Sequence, residues 1–149
     1  MEAIIFVGIP ASGKSTFYLQ RFFETHIRIN LDMLRTRHWE QTLIEACIAA
    51  KQPFVVDNTN VTREERARYI PQAKAAGFRV VGYYFQSNLR DCLERNRGRA
   101  PSRVVPEKGI AARHHRLQEP ALDEGFDQLC YVTISAEAGF IVQEPANRS

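Results

Sequence analysis

The feature that most constrains this chain is a short glycine-containing segment near its start, between an apolar run and a run with helical character. Gly8 and Gly13 are followed by Lys14 and Ser15, in the spacing Gly-x4-Gly-Lys-Ser that is typical of a phosphate-binding loop, or P-loop. Residues 4–7 predict a buried strand, and residues 16–19 open a helix whose free N–H groups face the phosphates. Pattern and context together disfavour an incidental turn that happens to contain a lysine.

The predicted loop provides both backbone and side-chain groups for a nucleotide. Glycine at positions 8 and 13 permits backbone angles and a close approach that a side chain would obstruct. Lys14 is expected to reach the β- and γ-phosphates of ATP or another nucleoside triphosphate, and the Ser15 hydroxyl is expected to ligate Mg²⁺. The predicted nucleotide-binding residues of this segment are Gly8, Ala11, Ser12, Gly13, Lys14, Ser15 and Thr16.

Length and composition predict one α/β domain spanning residues 1–149. Of 149 residues, 44% are hydrophobic and 25% are charged, which suffices for a single core. No apolar stretch approaches the ~20 residues that span a bilayer, and no signal peptide is evident, so we expect a cytoplasmic protein without membrane contacts. Cys47, Cys92 and Cys130 are odd in number and far apart, and we interpret them as small buried hydrophobic residues. The oligomeric state is left open.

The net charge of +3 is unevenly distributed along the chain. The segment from Arg90 to Arg116 contains eight basic and three acidic residues, so it carries a net charge of +5 and the remainder of the chain carries −2. Arginine predominates, and its planar guanidinium binds phosphate oxygens in bidentate fashion. A genome rich in G and C would also enrich arginine, but clustering beside a P-loop favours phosphate binding.

Strand and helix patterns alternate along the chain, which predicts βαβ units on a parallel sheet. The expected fold is therefore an α/β fold with a sheet of five parallel strands flanked by helices. The strands are predicted at about residues 4–7, 27–29, 54–57, 80–85 and 129–134.

Helix boundaries are predicted from single residues. One long helix is expected over residues 32–51, and Pro71 implies a kink or interruption in the helix that runs toward Gly77. Thr62 and Glu65 predict a capping box at the start of one helix. Asn88 predicts the N-cap of a later helix, and Gly98 predicts its C-terminal end. Residues 144–149 are expected to form a mobile tail.

Asp57 follows the apolar third strand, as the carboxylate of a Walker B motif does. There it would orient Mg²⁺ together with Ser15, directly or through water. The alternative is a carboxylate that caps the next turn. No glutamate follows Asp57 as in many ATPase motors, and the guanine-reading Asn-Lys-x-Asp motif is absent from the sequence. These features favour kinase chemistry.

Asp32 and Arg35 follow the second strand, at the edge of the sheet where an acceptor would meet the nucleotide. In a helix, three-residue spacing places the two side chains on one face. Asp32 could then accept or orient an acceptor hydroxyl, and Arg35 could bind a phosphate beside it. A surface N-cap aspartate with an exposed salt-bridging arginine is the other reading of this spacing.

The chain resembles the kinase domain of polynucleotide 5′-hydroxyl kinases of phage, bacterial and animal origin. The similarity extends from residue 4 to about residue 134. Besides the P-loop, the similar segments are residues 30–35 (Asn-Leu-Asp-Met-Leu-Arg), 57–60 (Asp-Asn-Thr-Asn), 66–69, 75–77, 95–99 (Arg-Asn-Arg-Gly-Arg), Pro120 and 124–126 (Glu-Gly-Phe). Their order and spacing together make the resemblance specific.

The resemblance implies an α/β P-loop kinase fold with five parallel strands in the order 2-3-1-4-5 and an arginine-rich lid at about residues 98–106. It also implies a Mg²⁺-dependent transfer of the γ-phosphate of ATP to the 5′-hydroxyl end of RNA or DNA. It implies catalytic roles for Lys14, Asp32 and Arg99, with Asp32 as general base and Arg99 closing over the donor together with Arg95. Arg35 matches an arginine that binds the acceptor's 3′-phosphate. Further residues on the acceptor and metal side are Asp57 and Thr59. The roles of Arg97, Arg103 and Trp39 are left open.

Leu31 departs from the family pattern, in which arginine often precedes the catalytic aspartate. A related kinase that acts on a small alcohol, such as a nucleoside, nucleotide or sugar, is therefore a second hypothesis. A nucleotide-dependent switch or binding module without transfer activity is a third.

Overall fold

The computed structural model describes residues 1–135, 137 and 139–144. The described strands are β1 (Glu2–Val7), β2 (Ile27–Ile29), β3 (Phe54–Val56), β4 (Arg79–Phe85), β5 (Gln128–Ser135) and β6 (Gly139–Gln143). They form one sheet in the order β2-β3-β1-β4-β5-β6. The predicted α/β class and the order 2-3-1-4-5 are therefore confirmed. Residues 145–149 of the predicted tail lie outside the described residues.

The helices flank this sheet. Those described are α1 (Lys14–Arg21), α2 (Leu31–Leu34), α3 (Arg37–Ala50), α4 (Arg63–Arg66), α5 (Ile70–Ala75), α6 (Leu89–Arg97) and α7 (Glu107–Arg116), with 3₁₀ turns at Pro101–Arg103 and Leu122–Glu124. The first of these turns lies in the predicted lid. Among the helices that the structure describes, none combines the length and the apolar character that crossing a membrane would need.

Opposite faces of the sheet bury different kinds of side chain. On one face, Ile5 of β1 packs in a mainly aliphatic cluster with Ile44 of α3 and Ala73 of α5. On the other face, Phe6 meets Phe17 of α1 edge to face, with ring centroids 5.9 Å apart. Because this aromatic contact holds α1 against β1, it also fixes both ends of the P-loop that joins them.

β6 makes the sheet mixed and corrects the predicted five-stranded parallel sheet. β1 to β5 pair in parallel, whereas β6 runs antiparallel to β5, with Phe140 opposite Ile134. The five residues of β6 alternate between exposed and half-buried positions. Such a short, partly apolar segment carries too weak a pattern to be predicted from sequence.

The helix predicted over residues 32–51 is broken in two. α2 ends at Leu34, Arg35 has a φ of 72°, and α3 begins only after Thr36. The Thr36 hydroxyl accepts a hydrogen bond from the Trp39 N–H at 3.0 Å and caps α3. The break arises because this N-cap competes with continuation of the first helix. The N-cap at Thr36 was not predicted from the sequence.

Other predicted boundaries are confirmed. Thr62 accepts from the Glu65 N–H at 3.2 Å, and Asn88 accepts from the Asp91 N–H at 2.8 Å. Three further features agree with the sequence analysis. α6 ends just before Gly98, Pro71 lies in the first turn of a new helix after the interruption, and Cys47, Cys92 and Cys130 are buried.

A buried ion pair joins the segment after β3 to the turn before β5. The Arg66 guanidinium donates to both carboxylate oxygens of Glu124, at 2.7 and 3.0 Å, and to the Asn60 carbonyl oxygen at 2.9 Å. The side chains of Arg66 and Glu124 are only 0% and 5% exposed. Two charges so far from water are tolerated because each compensates the other.

Replacing Arg66 with alanine should therefore destabilise the protein strongly. The change leaves the buried Glu124 carboxylate with only the more distant Arg63 guanidinium, at 3.8 Å, and breaking a buried ion pair costs about 3–5 kcal/mol. Urea unfolding monitored by circular dichroism measures the loss. Arg90→Ala is the matched control, since Arg90 and Glu94 form an exposed pair and its removal should leave the unfolding free energy nearly unchanged. Equal losses for the two variants would contradict the role assigned to burial.

Candidate active site

The P-loop wraps around the ammonium group of Lys14. Lys14 Nζ donates to the carbonyl oxygens of Gly8 at 3.0 Å and Ile9 at 2.9 Å, and it lies 3.4 Å from Ser12 Oγ. The Gly8 N–H donates to the Thr59 carbonyl oxygen at 2.9 Å. Since Lys14 is also the first residue of α1, the free N–H groups of that helix lie at the same loop. The arrangement is that of an anion-binding loop.

Two residues of the loop have left-handed backbone conformations. Gly13 has a φ of 97°, as the glycine of the motif allows, but Ala11 also has a positive φ of 65°. Ala11 is held by packing with Ile9 and Ile110, and its carbonyl oxygen accepts from Arg95 Nε at 2.7 Å. Strain at a non-glycine residue persists only where the surroundings enforce it. Arg95 therefore supports the shape of the loop.

Burial determines the protonation of Lys14. Desolvation lowers the pKa of Lys14 to about 8, the nearby Asp57 carboxylate opposes this effect, and the guanidinium groups of Arg99 and Arg113 add to it. A polyphosphate bound at the loop would favour the charged form of the amine. The predicted phosphate ligands Lys14 and Arg99 thus share one electrostatic environment.

Arg113 is a cation of this region that the sequence analysis did not assign. It lies on α7 three residues after Ile110, and Ile110 packs with Ile9 and Ala11 of the P-loop. Residues three apart share a helix face, so Arg113 belongs to the face that α7 turns toward the loop. The three-residue spacing from Ile110 to Arg113 was a signal in the sequence that they share a helix face. Only the packing of α7 shows that this face lies against the P-loop.

Asp57, Ser15 and Arg28 form a closed triangle of hydrogen bonds beside the loop. Ser15 Oγ donates to Asp57 Oδ2 at 3.2 Å, Arg28 Nε donates to the same oxygen at 2.8 Å, and the second donor of Arg28 reaches Ser15 Oγ at 3.0 Å. The structure therefore brings together the two residues predicted to bind a metal. Arg28 was not predicted, although its position in a strand next to the apolar Ile29 places it on the opposite face.

The oxygen atoms of this triangle suit Mg²⁺ better than a softer metal. Ser15 contributes a hydroxyl and Asp57 a carboxylate, both hard ligands, and Mg²⁺ typically uses few protein ligands together with phosphate oxygens and water. A cluster of three or more His, Cys, Asp or Glu side chains able to hold a metal does not occur within residues 1–135, 137 and 139–144. The donor set thus fits Mg²⁺ bound jointly with a nucleotide.

The segment that carries Asp32 is hydrogen-bonded to the turn after β3. Asn30 caps α2 by accepting from the Met33 N–H at 2.9 Å, and its amide donates to the Asp57 carbonyl oxygen at 2.6 Å. The Leu31 N–H donates to Asn58 Oδ1 at 2.8 Å. Asp32, in the first turn of α2, is thereby held at the same edge of the sheet as Asp57.

A buried polar network around Glu40 supports this connection between the α2 segment and the turn after β3. Glu40 accepts from Arg37 at 2.8 Å, from the Tyr69 hydroxyl at 3.0 Å and from the Asn58 amide at 3.0 Å. Burial, followed by the charge of Glu40, raises the pKa of Tyr69 to about 12, so the phenol remains a hydrogen-bond donor. The sequence analysis missed Glu40, because no local pattern distinguishes it from a surface glutamate in a helix.

Arg35 occupies a strained turn at the end of α2. Its φ is 72° and its ψ −34°, and the Thr36 N–H donates to the Leu34 carbonyl oxygen at 3.0 Å across it. This is a γ-turn with positive φ, which is rare for residues other than glycine. The side chains of Asp32, Arg35 and Thr59 form no hydrogen bond within the described part of the chain. They are available to a ligand rather than engaged in the fold.

The predicted lid arginines differ in their surroundings. Arg99 is half-buried and donates to the Arg103 carbonyl oxygen at 3.3 Å, whereas Arg97 pairs with Glu107 at 2.9 Å on the surface. Arg103 is exposed, and Trp39 on α3 is 56% exposed. Arg97 is thus engaged away from the P-loop, while Arg99 lies close enough to Lys14 to affect its pKa.

Comparison with known proteins shows that a family model described as an AAA domain matches residues 4–120. The chain is 30% identical over 132 residues to the bifunctional polynucleotide phosphatase/kinase of Schizosaccharomyces pombe. The match covers 84% of this chain and 32% of that protein, so the chain spans about a third of the relative's length. The resemblance predicted from the motifs is confirmed.

Solved structures agree in fold. A gluconokinase from Sinorhizobium meliloti 1021 superposes with a TM-score of 0.61 at 18% identity, covering 90% of this chain and 83% of that one. An APS kinase from Mycobacterium tuberculosis, in complex with AMPPNP and APS, superposes with a TM-score of 0.57 at 17% identity, covering 99% and 90%. These similarities confirm the P-loop kinase fold.

Gly13→Ala should abolish the anion-binding shape of the loop. A Cβ at Gly13 would lie 2.9 Å from Phe140 Cε1 and 3.2 Å from Ile134 Cδ1, at a φ of 97°. We expect nucleotide affinity to fall at least about tenfold, because the backbone amides no longer converge. Equilibrium binding of a fluorescent ATP analogue measures this.

Gly77→Ala provides the matched control. Gly77 also has a positive φ, of 82°, but the nearest atom to an added Cβ is Met1 Cε at 3.8 Å. The strain at this position should lower stability while leaving nucleotide affinity unchanged. Unaltered affinity in the Gly13 variant would overturn the assignment of the loop.

Proposed function

We propose that this chain, which belongs to the AAA-domain family whose model matches residues 4–120, is a Mg²⁺-dependent kinase that transfers the γ-phosphate of ATP to the 5′-hydroxyl end of RNA or DNA. The related fission yeast protein is described as a polynucleotide phosphatase/kinase. Among the similar segments, the P-loop and residues 30–35, 57–60 and 95–99 lie in the parts of the chain that form the site described above.

The observation that carries this proposal is the dual anchoring by the turn at residues 57–60. Thr59 holds the P-loop through the Gly8 N–H, while Asn58 and the Asp57 carbonyl hold the α2 segment that bears Asp32. One turn therefore fixes a phosphate-binding loop and an exposed carboxylate relative to each other. Transfer between a nucleotide and an alcohol requires this combination, because the two reactants must be aligned.

On the donor side, Lys14 would neutralise charge on the β- and γ-phosphates, and Arg99 would close over them. Arg95 would keep Ala11 in its strained conformation and so preserve the amide cradle. When bound, Mg²⁺ would neutralise phosphate charge, with Ser15 and Asp57 as the residues that would hold it.

On the acceptor side, Asp32 would accept a hydrogen bond from the attacking hydroxyl and orient it toward the nucleotide. Phosphoryl transfer is largely dissociative, so orientation matters more than early removal of the proton. Arg35 lies on a strained turn and its side chain forms no hydrogen bond with the described residues, so it would bind a phosphate of the acceptor. That contact favours an oligonucleotide or a 3′-nucleotide over a free nucleoside.

The second candidate is a kinase for a small alcohol on the same machinery. Leu31 precedes Asp32 where polynucleotide kinases often have arginine, which removes one cation from the acceptor side. The structurally similar gluconokinase and APS kinase are named for small substrates.

An acceptor panel discriminates these candidates. The protein is incubated with Mg²⁺ and γ-labelled ATP in separate reactions with 5′-hydroxyl RNA, 5′-hydroxyl DNA, nucleosides, 3′-nucleotides and sugars. We expect label on the polynucleotides and, more slowly, on 3′-nucleotides. Label found exclusively on nucleosides or sugars would replace the polynucleotide proposal with the small-alcohol one.

Asp32→Asn should separate transfer from binding. Loss of the carboxylate should lower kcat at least about 100-fold, because the hydroxyl loses its acceptor, while the Kd for nucleotide stays unchanged. Glu24→Gln, at an exposed carboxylate outside the site, is the control and should behave as the parent protein. If the parent binds nucleotide yet labels none of the acceptors, the chain is a switch or binding module.

Arg35→Ala and Arg99→Ala should differ in kinetic effect. We expect the Arg35 variant chiefly to raise KM for the acceptor, and the Arg99 variant to lower kcat by about 100-fold or more, as expected for loss of a cation that stabilises transition-state charge. Steady-state kinetics with varied acceptor measures both. Arg68→Ala removes an exposed arginine outside the site and serves as the control. Identical kinetic profiles for the two site variants would contradict this division of roles.

A further inference from the structure

Arg28 is the one side chain of β2 that connects the strand to the P-loop helix. Ile29 points into the aliphatic cluster against α3, so Arg28, its neighbour in the strand, points to the opposite face, where α1 lies. Its guanidinium donates to Asp57 Oδ2 at 2.8 Å and to Ser15 Oγ at 3.0 Å. The side chain of Asp57 is 1% exposed and that of Arg28 is 28% exposed.

The atoms that Arg28 contacts are those that a Mg²⁺ ion would use. Ser15 Oγ and an Asp57 carboxylate oxygen are the two protein oxygens available to the metal in the proposed function. A guanidinium and a divalent cation repel each other at short range, and the carboxylate can be neutralised by either. Arg28 and the metal therefore compete for one small group of acceptors.

We propose that Arg28 is an internal counter-cation of the metal site, which pairs with Asp57 and Ser15 when no metal is bound and yields at least one of these hydrogen bonds when Mg²⁺ binds with the nucleotide. Arg28 then lowers the affinity of the site for free Mg²⁺. It opposes the metal less when a nucleotide is bound, because the negative charge of the phosphates offsets the repulsion. Arg28 therefore increases the coupling between metal binding and nucleotide binding. It is a positioning residue, and the inference rests on the metal site of the proposed function.

The planar fork of arginine suits this role. Arg28 reaches two oxygens from one guanidinium, as the Nε and terminal nitrogens of the fork can, whereas the point charge of a lysine cannot copy that geometry. Because the pair is partly exposed, the guanidinium can move toward solvent when it is released. The neutral substitution Arg28→Gln removes the charge but keeps a polar side chain.

The test measures how strongly Mg²⁺ and nucleotide help each other to bind. The Kd of a fluorescent ATP analogue is determined with EDTA and with excess Mg²⁺, and the ratio of the two is the coupling factor. In Arg28→Gln this factor should be at least about tenfold smaller than in the parent protein, because a metal ion that already binds well without nucleotide gains less from the phosphates. Arg28→Lys, which keeps the charge, should give a value closer to the parent.

Arg21→Gln is the matched control. Arg21 lies over the Phe17 ring, with its guanidinium carbon 5.2 Å from the ring centroid, and it is not hydrogen-bonded to the metal-site oxygens. Removing its charge should leave the coupling factor within about twofold of the parent, because exposed charges outside the site are well screened. Thermal unfolding of each variant in EDTA confirms that the compared proteins are folded.

Two outcomes would overturn the inference. An unchanged coupling factor in Arg28→Gln would mean that Arg28 does not distinguish the nucleotide-free site from the nucleotide-bound one, and a larger factor would mean that Arg28 opposes the metal more strongly when nucleotide is bound. Neither readout involves an acceptor, so the inference can fail while phosphate transfer is observed. Failure of the parent protein to bind any nucleotide would instead remove the proposed function together with this inference.

Discussion

The hydrogen bonds of the turn at residues 57–60 are the constraint on which the rest of the site depends. Asn60, with a φ of 46°, donates from its amide to the Phe6 carbonyl oxygen at 2.8 Å, and Thr59 receives the Gly8 N–H. The buried Arg66 holds the Asn60 carbonyl oxygen from the other side. The turn is thus tied to β1, to the P-loop and to the core, and a shift of it would move the two sides of the site relative to each other.

The P-loop is held by two kinds of contact, apolar packing and a hydrogen bond from an arginine. Phe140 of β6 packs against Phe17 with ring centroids 5.1 Å apart and reaches the position beside Gly13. Arg95 and Ile110 hold Ala11 from α6 and α7. Apolar packing on one side and a charge-assisted hydrogen bond on the other keep a strained loop in one conformation, so little reorganisation is needed when an anion binds.

Positive charge is concentrated around this loop beyond what local pairing neutralises. Burial lowers the pKa of Lys14, the charges of Arg99 and Arg113 add to that effect, and the Asp57 carboxylate opposes it. Such a surplus disfavours the ligand-free protein and is relieved by a polyphosphate. Arg28 pairs with Asp57 beside this group of cations, at 2.8 Å.

The P-loop, the approximate strand positions, the helix caps and the Asp57 carboxylate could be predicted because each depends on spacing between nearby residues or on the short-range preference of one residue type. The strand order was predicted from the resemblance to polynucleotide kinases, since no local pattern encodes it. Only the tertiary structure shows four other features. These are β6, the break in the helix at Arg35, the positions of Glu40 and Arg113 next to the site, and the pairing of Arg28 with Asp57. These features join residues distant in sequence, and each is individually unremarkable: a glutamate in a helix, an arginine in a strand. Their roles follow from which neighbours the fold places beside them, and no local pattern encodes that.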